Sequence, residues 1–257
     1  MPSIPASLLP NERVSGSTAL MYTLGWAAIV VFFWATADMR LMPSAIETAA
    51  AIGPQIKLGA GQQMITSLML SLESIFFATV IGLTLCYAAT IPALRPIAVF
   101  VGSLRFLGLA GISALFIIYV PGGHLLKVAI LTFAMTTFLV NSMMTVIDNI
   151  PASAFDHART IGLSRFQILR EVVIRGTLAD AFDVVRMNAA IAWMMLSAVE
   201  TLSRSEGGIG ILLTNLNRMQ RYDSMFAIQF MILLIGLSQD YLIRGIKALI
   251  CPYSNKA

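Results

Sequence analysis

Long apolar segments alternate with short polar ones along most of this chain. A helix needs about 20 apolar residues to cross the ~30 Å hydrocarbon core of a bilayer. Windows of that kind fall at 17–37, 66–89, 96–119, 124–147, 186–203 and 224–246. The strands of a transmembrane barrel would instead alternate apolar and polar residues over ~10 positions, and these runs do not. The pattern predicts an all-α membrane protein with about six transmembrane helices in one domain, residues 17–247.

Composition agrees with this prediction. The chain is 58% hydrophobic and 12% charged, with a mean hydropathy of +0.82, whereas soluble domains carry about 25% charged residues. Residues 1–16 are polar and proline-rich, which predicts a short tail rather than a cleavable signal, and residues 248–257 are predicted as a second tail. Cys86 lies within the second span and Cys251 near the last residue, so no disulfide framework is expected.

One segment, residues 148–185, interrupts the apolar pattern with arginines, acidic residues and a histidine. Pro151 is suited to the first turn of a helix, Gly162 to ending it, and Ser164 to capping a second helix from Arg165 to about Ile174. The sequence therefore predicts two short amphipathic helices joined at a glycine. Such a pair can dock into a groove of a partner protein or lie on anionic lipid, and the residues alone leave both open.

Charge distribution predicts the orientation. If the 148–185 segment is cytoplasmic, both tails are cytoplasmic too, and eleven of the 17 Lys and Arg residues fall on that side. This bias follows the positive-inside rule.

Motifs for chemistry are missing from the sequence. It contains no G-x-x-x-x-G-K-[ST] phosphate loop and no H-E-x-x-H or Cys/His metal motif. The stretch "SEGGIG" at 205–210 follows a membrane helix rather than a strand, so it is not read as a phosphate loop. His124 and His157 have no sequence neighbours that indicate catalysis. We expect a non-catalytic chain without a cofactor or metal of its own and without a nucleic-acid partner.

The charged segment carries a resemblance to a known family. The order Asp156-His157-Ala158-Arg159-Thr160-Ile161-Gly162, followed by Val172 and Ile174, resembles the EAA loop of ABC importer permeases of the nitrate/sulfonate/taurine/bicarbonate type. Counting from Gly162, Val172 takes the family's Ile position and Ile174 its Leu position. Asp156-His157 replace Glu-Ala, and Arg175 and Ala179 stand where the family has prolines, which would leave this segment straighter.

Four other segments resemble the same family in order and spacing. They are "LMPSAIETAAAI" at 41–52, the second span with Gly82, "SAVETLSRSEGGIGILL" with Glu200, Gly208 and Gly210, and "LLIGLSQDYLIRGIKAL" with Gly236, Asp240 and Arg244. The third span lacks the prolines that the family commonly has there.

The resemblance implies a fold like that of type I ABC importer permeases and a role as their transmembrane subunit in a bacterial inner membrane. A second permease subunit, identical or not, two cytoplasmic ATPases that bind ATP and Mg, and an extracytoplasmic solute-binding protein would be its partners. The coupling loop would include Phe166 and contact the ATPase.

Charges inside the predicted spans need a partner or a function, because a charge at the bilayer centre costs at least ~2.5–3.5 kcal/mol. Glu73 and Arg105 both approach the midplane on successive spans, which suggests an ion pair that is either structural or in contact with the transported solute. Glu200, near the outer end of the fifth span, is either an interfacial carboxylate or, as the resemblance implies, part of the outer gate or a contact of the binding protein. Asp240 and Arg244 have the i,i+4 spacing of a helical ion pair.

Two other functions remain open from the sequence. An ion-coupled secondary transporter would be expected to show inverted repeats and broken helices, and no internal repeat is visible. A non-transporting scaffold could recruit a partner through the 148–185 segment.

Overall fold

The computed structural model describes residues 14–36, 43–203 and 207–252, and all regular structure in these ranges is helical. Most of the two predicted tails, residues 41–42 of the second family-like segment and residues 204–206 of the glycine-rich segment lie outside the described residues. The helices are α1 Gly16–Thr36, α2 Ala45–Lys57, α3 Ala60–Ala88, α4 Arg95–Ser103, α5 Leu109–Tyr119, α6 His124–Asp148, α7 Ala152–Thr160, α8 Arg165–Ile168, α9 Leu178–Leu202, α10 Ile209–Arg218 and α11 Tyr222–Ile250.

Five of these helices, α1, α3, α6, α9 and α11, are long and apolar enough to cross a membrane. The pair α4 and α5 makes a sixth span if its two halves are counted together. The predicted all-α class with about six spans is confirmed.

The third span differs from the prediction of one helix over 96–119. Helix α4 ends at Ser103, a 3-10 turn covers Leu104–Phe106, and α5 starts after Gly108, with a bend of 112° between the two parts. The backbone of Leu107 and Gly108 is extended, with ψ of 120° and 145°. Glycine costs about 1 kcal/mol in a helix interior, so the glycine-rich "GLAG" is a weak point that a hydropathy window does not detect.

The core is built by α3, α6 and α9. Leu70 and Ala78 of α3, Leu131 of α6 and Leu196 of α9 belong to one buried cluster. Leu139 of α6 packs directly onto Gly82 of α3, where an added Cβ would lie 3.5 Å from Leu139 Cγ and closer still to Cδ2. Small residues let membrane helices approach in this way, so α6 packs closely against α3 within the core.

The predicted loop 148–185 is shorter in the structure, because α9 begins at Leu178 rather than near 186. Its first turns carry Asp180 and Asp183, which the apolar window left out, and Arg186, at which that window began. Asp183 and Arg186 lie at the interface with α11. Both have partners on α11: Lys247 Nζ is 2.6 Å from Asp183, and Arg186 is 3.6 Å from Asp240. Pairing of these charges allows the helix to extend beyond its apolar part.

Two further short helices were not predicted. Helix α2 starts at a capping box, in which Ser44 accepts from Glu47 N–H and Glu47 accepts from Ser44 N–H. It packs against α11. Helix α10 packs against α9 and α11.

Candidate functional site

Residues 152–174 form a helical hairpin at one end of the bundle, next to the last turn of α6 and the first turn of α9. Helix α7 ends in a Schellman motif: Leu163 N–H donates to Ala158 O at 3.1 Å and Gly162 N–H to Arg159 O at 3.0 Å. Gly162 has φ +81°, a conformation that glycine adopts without strain. The predicted turn at Gly162 is confirmed.

Ser164 starts the second half of the hairpin as predicted. Its hydroxyl accepts from Gln167 N–H at 3.4 Å, and Gln167 Oε1 accepts from Ser164 N–H at 2.8 Å. Pro151, in contrast, is the N-cap rather than a first-turn residue. After Ile168 the helix widens into a π-turn over Leu169–Ile174, so a straight α-helical continuation to Ile174 was wrong. A hydrogen bond from Arg175 N–H to Arg170 O at 3.0 Å marks the wider turn.

The hairpin has a buried side and an exposed side. Ala158 and Val173 are 3% exposed and attach it to the bundle, whereas Phe166 is 83% and Ile161 62% exposed. Of the other predicted coupling residues, Asp156, His157, Arg159 and Gly162 are exposed and Val172 and Ile174 are half-buried.

A groove of about 700 Å³ separates the hairpin from the helix ends. Its walls include Ile150 and Pro151 after α6, Ala154 and His157 of α7, and Asp180 of α9. The hairpin is therefore joined to the bundle along one edge and open along another.

The opposite end of the bundle contains a buried polar network centred on Glu200, which is fully buried. Its carboxylate accepts hydrogen bonds from Ser67 Oγ of α3 and from Gly210 N–H, at 2.6 Å, in the first turn of α10. Ser67 Oγ in turn accepts from Ile209 N–H at 2.9 Å. A carboxylate at a helix N-terminus is stabilised by the unpaired N–H groups and the helix dipole.

Two more side chains hold the glycine segment 207–210 in place. Gln63 Oε1 accepts from Gly208 N–H, and Lys127 Nζ, on a residue only 2% exposed, donates to Gly207 O at 2.9 Å. Gly208 has φ +126°, and a Cβ there would lie 2.6 Å from Glu200 Oε1. Glycine is needed at position 208 because the backbone passes directly against the carboxylate.

The predicted ion pair of Glu73 with Arg105 was wrong. Glu73 Oε2 lies 2.6 Å from Nε2 of His124, at the start of α6. Arg105 stacks over Phe106, 4.8 Å from the ring centroid, and lines a cavity with Arg95 and residues of the C-terminal half of α6. Arg105 therefore lies on the hairpin side of the bundle, whereas Glu73 lies beside the start of α6 at the other end.

Asp240 and Arg244 form the predicted i,i+4 pair at 2.9 Å, and Arg186 of α9 joins it across the helix interface. The sequence prediction missed Gln63, Ser67 and Lys127. A lysine inside the fourth predicted span was a signal that could have been used, and so was the row of Ser67, Ser71 and Ser74 on one face of α3. Among the described residues, no group of three or more His, Cys, Asp or Glu side chains is placed to hold a metal ion.

Residues 64–249 match the protein family described as "Binding-protein-dependent transport system inner membrane component". This match covers well over half of the chain. The chain belongs to this family of ABC importer permeases.

Relatives and a solved structure agree with the assignment. A putative ABC transporter permease protein of Methanocaldococcus jannaschii is 31% identical over 145 residues, which are 56% of this chain and 48% of that protein. The chain thus spans about half the length of that relative. The nitrate import permease protein NrtB of Synechococcus elongatus is 25% identical over 217 residues, 80% of this chain and 73% of NrtB.

The fold resembles that of a chain in an inward-facing structure of the MetNI methionine ABC transporter, with a TM-score of 0.58 and 18% identity over 72% of this chain and 90% of the other. At this identity the likeness concerns the fold alone. It confirms the expected permease architecture.

Proposed function

We propose that this chain is the membrane-spanning subunit of a bacterial ABC importer and that its hairpin, residues 152–174, couples ATP hydrolysis in a separate ATPase to uptake of a small solute. One observation carries the proposal: a chain of this permease family projects an amphipathic hairpin on which the aromatic side chain of Phe166 is 83% exposed. An exposed aromatic among charged residues is typical of a contact that a partner covers.

The hairpin is built to transmit force. Ala158 and Val173 fix it to the bundle, and Thr177 Oγ1 donates to Val173 O at 2.7 Å just before α9 begins. Tyr87 at the end of α3 lies 3.4 Å from the Thr177 hydroxyl. A displacement of the hairpin therefore reaches α3 and α9 through short contacts rather than through a long loop.

The proposed assembly follows from this role. Two permease subunits, identical or not, would enclose the path for the solute. Two ATPases, which bind ATP and Mg, would contact the hairpins on the cytoplasmic side. A binding protein would deliver the solute from the other side. This chain would lie in the inner membrane with both tails in the cytoplasm and hold no cofactor itself. The solute would be a small anion of the nitrate, sulfonate, taurine or bicarbonate class, which is supported by the likeness to a nitrate import permease.

Co-purification tests the hairpin contact. The tagged full chain and its Phe166→Asp variant are purified from native membranes, and nucleotide-binding partners are detected by photo-crosslinking with azido-ATP. Loss of one central aromatic contact commonly costs 2 kcal/mol or more, so we expect at least about a tenfold lower yield of the ATPase.

Phe100→Ala is the matched control, because Phe100 is 64% exposed on α4 and lies outside the hairpin. It should retain the ATPase. Equal ATPase yields from Phe166→Asp and the unmodified chain would contradict the coupling role. No ATP-binding partner with any variant would favour the secondary transporter or the scaffold.

A further inference from the structure

A small polar cavity lies between α4 and α6, near the hairpin end of the bundle. Its volume is about 220 Å³. Arg95, Gly102 and Arg105 line it from the α4 side, and Asn141 and Asp148 from the α6 side. The neighbouring helices approach closely here, since a Cβ on Gly102 would be 3.7 Å from Asn141.

The charges in this cavity do not cancel. Arg95 Nη2 is 2.9 Å from both carboxylate oxygens of Asp148, so these two residues neutralise each other. Arg105 has no acidic partner within 4 Å among the described residues, and its guanidinium Nη1 is buried without a hydrogen-bond acceptor. One uncompensated positive charge therefore remains inside the cavity.

One uncharged donor lines the same cavity. The side-chain amide of Asn141 makes no hydrogen bond within the described part of the chain, whereas the hydroxyl of Thr145, which also lines the cavity, donates to Asn141 O. Buried polar groups are nearly always hydrogen-bonded, and a charged group within a membrane protein normally has a partner. A guanidinium prefers planar or tetrahedral oxyanions, which it binds through paired N–H donors.

We propose that this cavity binds one oxyanion, held by Arg105 and the Asn141 amide, with the Arg95–Asp148 pair at its edge. Both a free anion such as sulfate or phosphate and the phosphate of a phospholipid headgroup supply this chemistry. Arg105 belongs to the 3-10 turn at Leu104–Phe106, which continues α4 alongside α6 and so brings the guanidinium to the cavity. This site goes beyond the coupling role and does not depend on it.

Binding is measured on the full chain in detergent by thermal unfolding, with sulfate, phosphate or nitrate compared with chloride at equal ionic strength. Native mass spectrometry of the same samples detects retained phospholipid. Stabilisation by free anions indicates a free oxyanion, and retained phospholipid without such stabilisation indicates a headgroup. In either case Arg105→Gln should weaken binding at least about tenfold.

Arg105→Lys keeps the charge but loses the paired donors, so it should bind with intermediate strength even if Arg105→Gln folds poorly. Arg221→Gln is the control, since Arg221 is an exposed arginine that lies 3.8 Å from Asp223 and far from the cavity in the fold. It should bind like the unmodified chain. The site would be ruled out if Arg105→Lys and Arg105→Gln matched the unmodified chain in both measurements, or if the unmodified chain bound neither source.

Discussion

Removal of the Glu200 carboxylate should destabilise the protein more than removal of any exposed carboxylate. Glu200→Ala leaves Ser67 O–H and Gly210 N–H without their acceptor, and it removes a carboxylate that interacts electrostatically with the buried Lys127. Hydrogen bonds between membrane helices average about 0.6 kcal/mol, so two of them give a lower bound of about 1 kcal/mol. Leaving two buried donors without an acceptor costs up to about 3 kcal/mol each, which gives an upper bound of about 6 kcal/mol.

The expected loss lies in the middle to upper part of this range, at about 3–5 kcal/mol. The site is fully buried, and breaking a buried charge interaction leaves the remaining charge uncompensated. At about 2–4 °C per kcal/mol for a chain of this size, the unfolding midpoint should fall by about 6–20 °C. Glu200→Gln keeps one acceptor oxygen and should lose about half as much.

The chain supplies its own probe for this measurement. Cys86 and Cys251 are both fully buried thiols, so a thiol-reactive fluorophore reports unfolding of the detergent-solubilised protein. Glu73→Ala is the matched control, because the Glu73 side chain is 41% exposed and such pairs contribute about 1 kcal/mol or less.

A double-mutant cycle with Ser67→Ala tests the pairing itself. The two residues should couple by about 0.5–3 kcal/mol if they share one hydrogen bond. The proposed network would be refuted if Glu200→Ala unfolded within about 2 °C of the unmodified chain, or if the effects of Ser67→Ala and Glu200→Ala simply added.

Three substitutions at special backbone positions give further predictions. Gly208→Ala should lower the free energy of unfolding by at least about 2 kcal/mol in the same thiol assay, because φ is +126° and the Cβ meets Glu200. Its control is Gly53→Ala, which has open space around it and should raise stability slightly. Gln220→Gly should stabilise by about 1 kcal/mol or less, since Gln220 holds φ 54° at the end of α10; an unchanged or lower midpoint would contradict this. Gly162→Val should disturb the hairpin turn at φ +81°, so limited proteolysis should cleave it faster while the midpoint of the bundle changes little; equal cleavage rates would contradict this reading.

The sequence predicts the spans well because a long apolar run in a bilayer has essentially one solution, a helix. It also predicts local features that depend on single residue types, such as the turn at Gly162 and the cap at Ser164. Hydropathy fails where charge pairing extends a helix, as in the first turns of α9, and where backbone preference breaks one, as at Gly108. Neither effect changes the average hydropathy of a 20-residue window.

Partners across the bundle are harder to predict than elements. The depth of Glu73 and Arg105 along straight helices suggested an ion pair, but Glu73 lies beside His124 at the start of α6 and Arg105 beside the C-terminal half of α6. Glu200 was read as an interfacial carboxylate or a gate, and its partners are 133 and 10 residues away in sequence. Such pairings depend on helix rotation and offset, which composition does not encode.

The two candidate regions lie at opposite ends of the same two helices. Helix α6 carries Lys127 in the polar network and ends at Asp148, just before the hairpin, while α9 begins just after the hairpin and carries Glu200 in the network. At 1.5 Å per residue, the 21 or 22 residues between these points span about 32 Å. Since helices move as rigid elements on this scale, a tilt imposed on α6 and α9 at the hairpin end would shift Lys127 and Glu200 relative to the glycine segment that they bind. The hydrogen bonds of Glu200 at the start of α10 would then have to break or move as a unit, which would make the network a two-state element for a permease driven, as we propose, from its hairpin end.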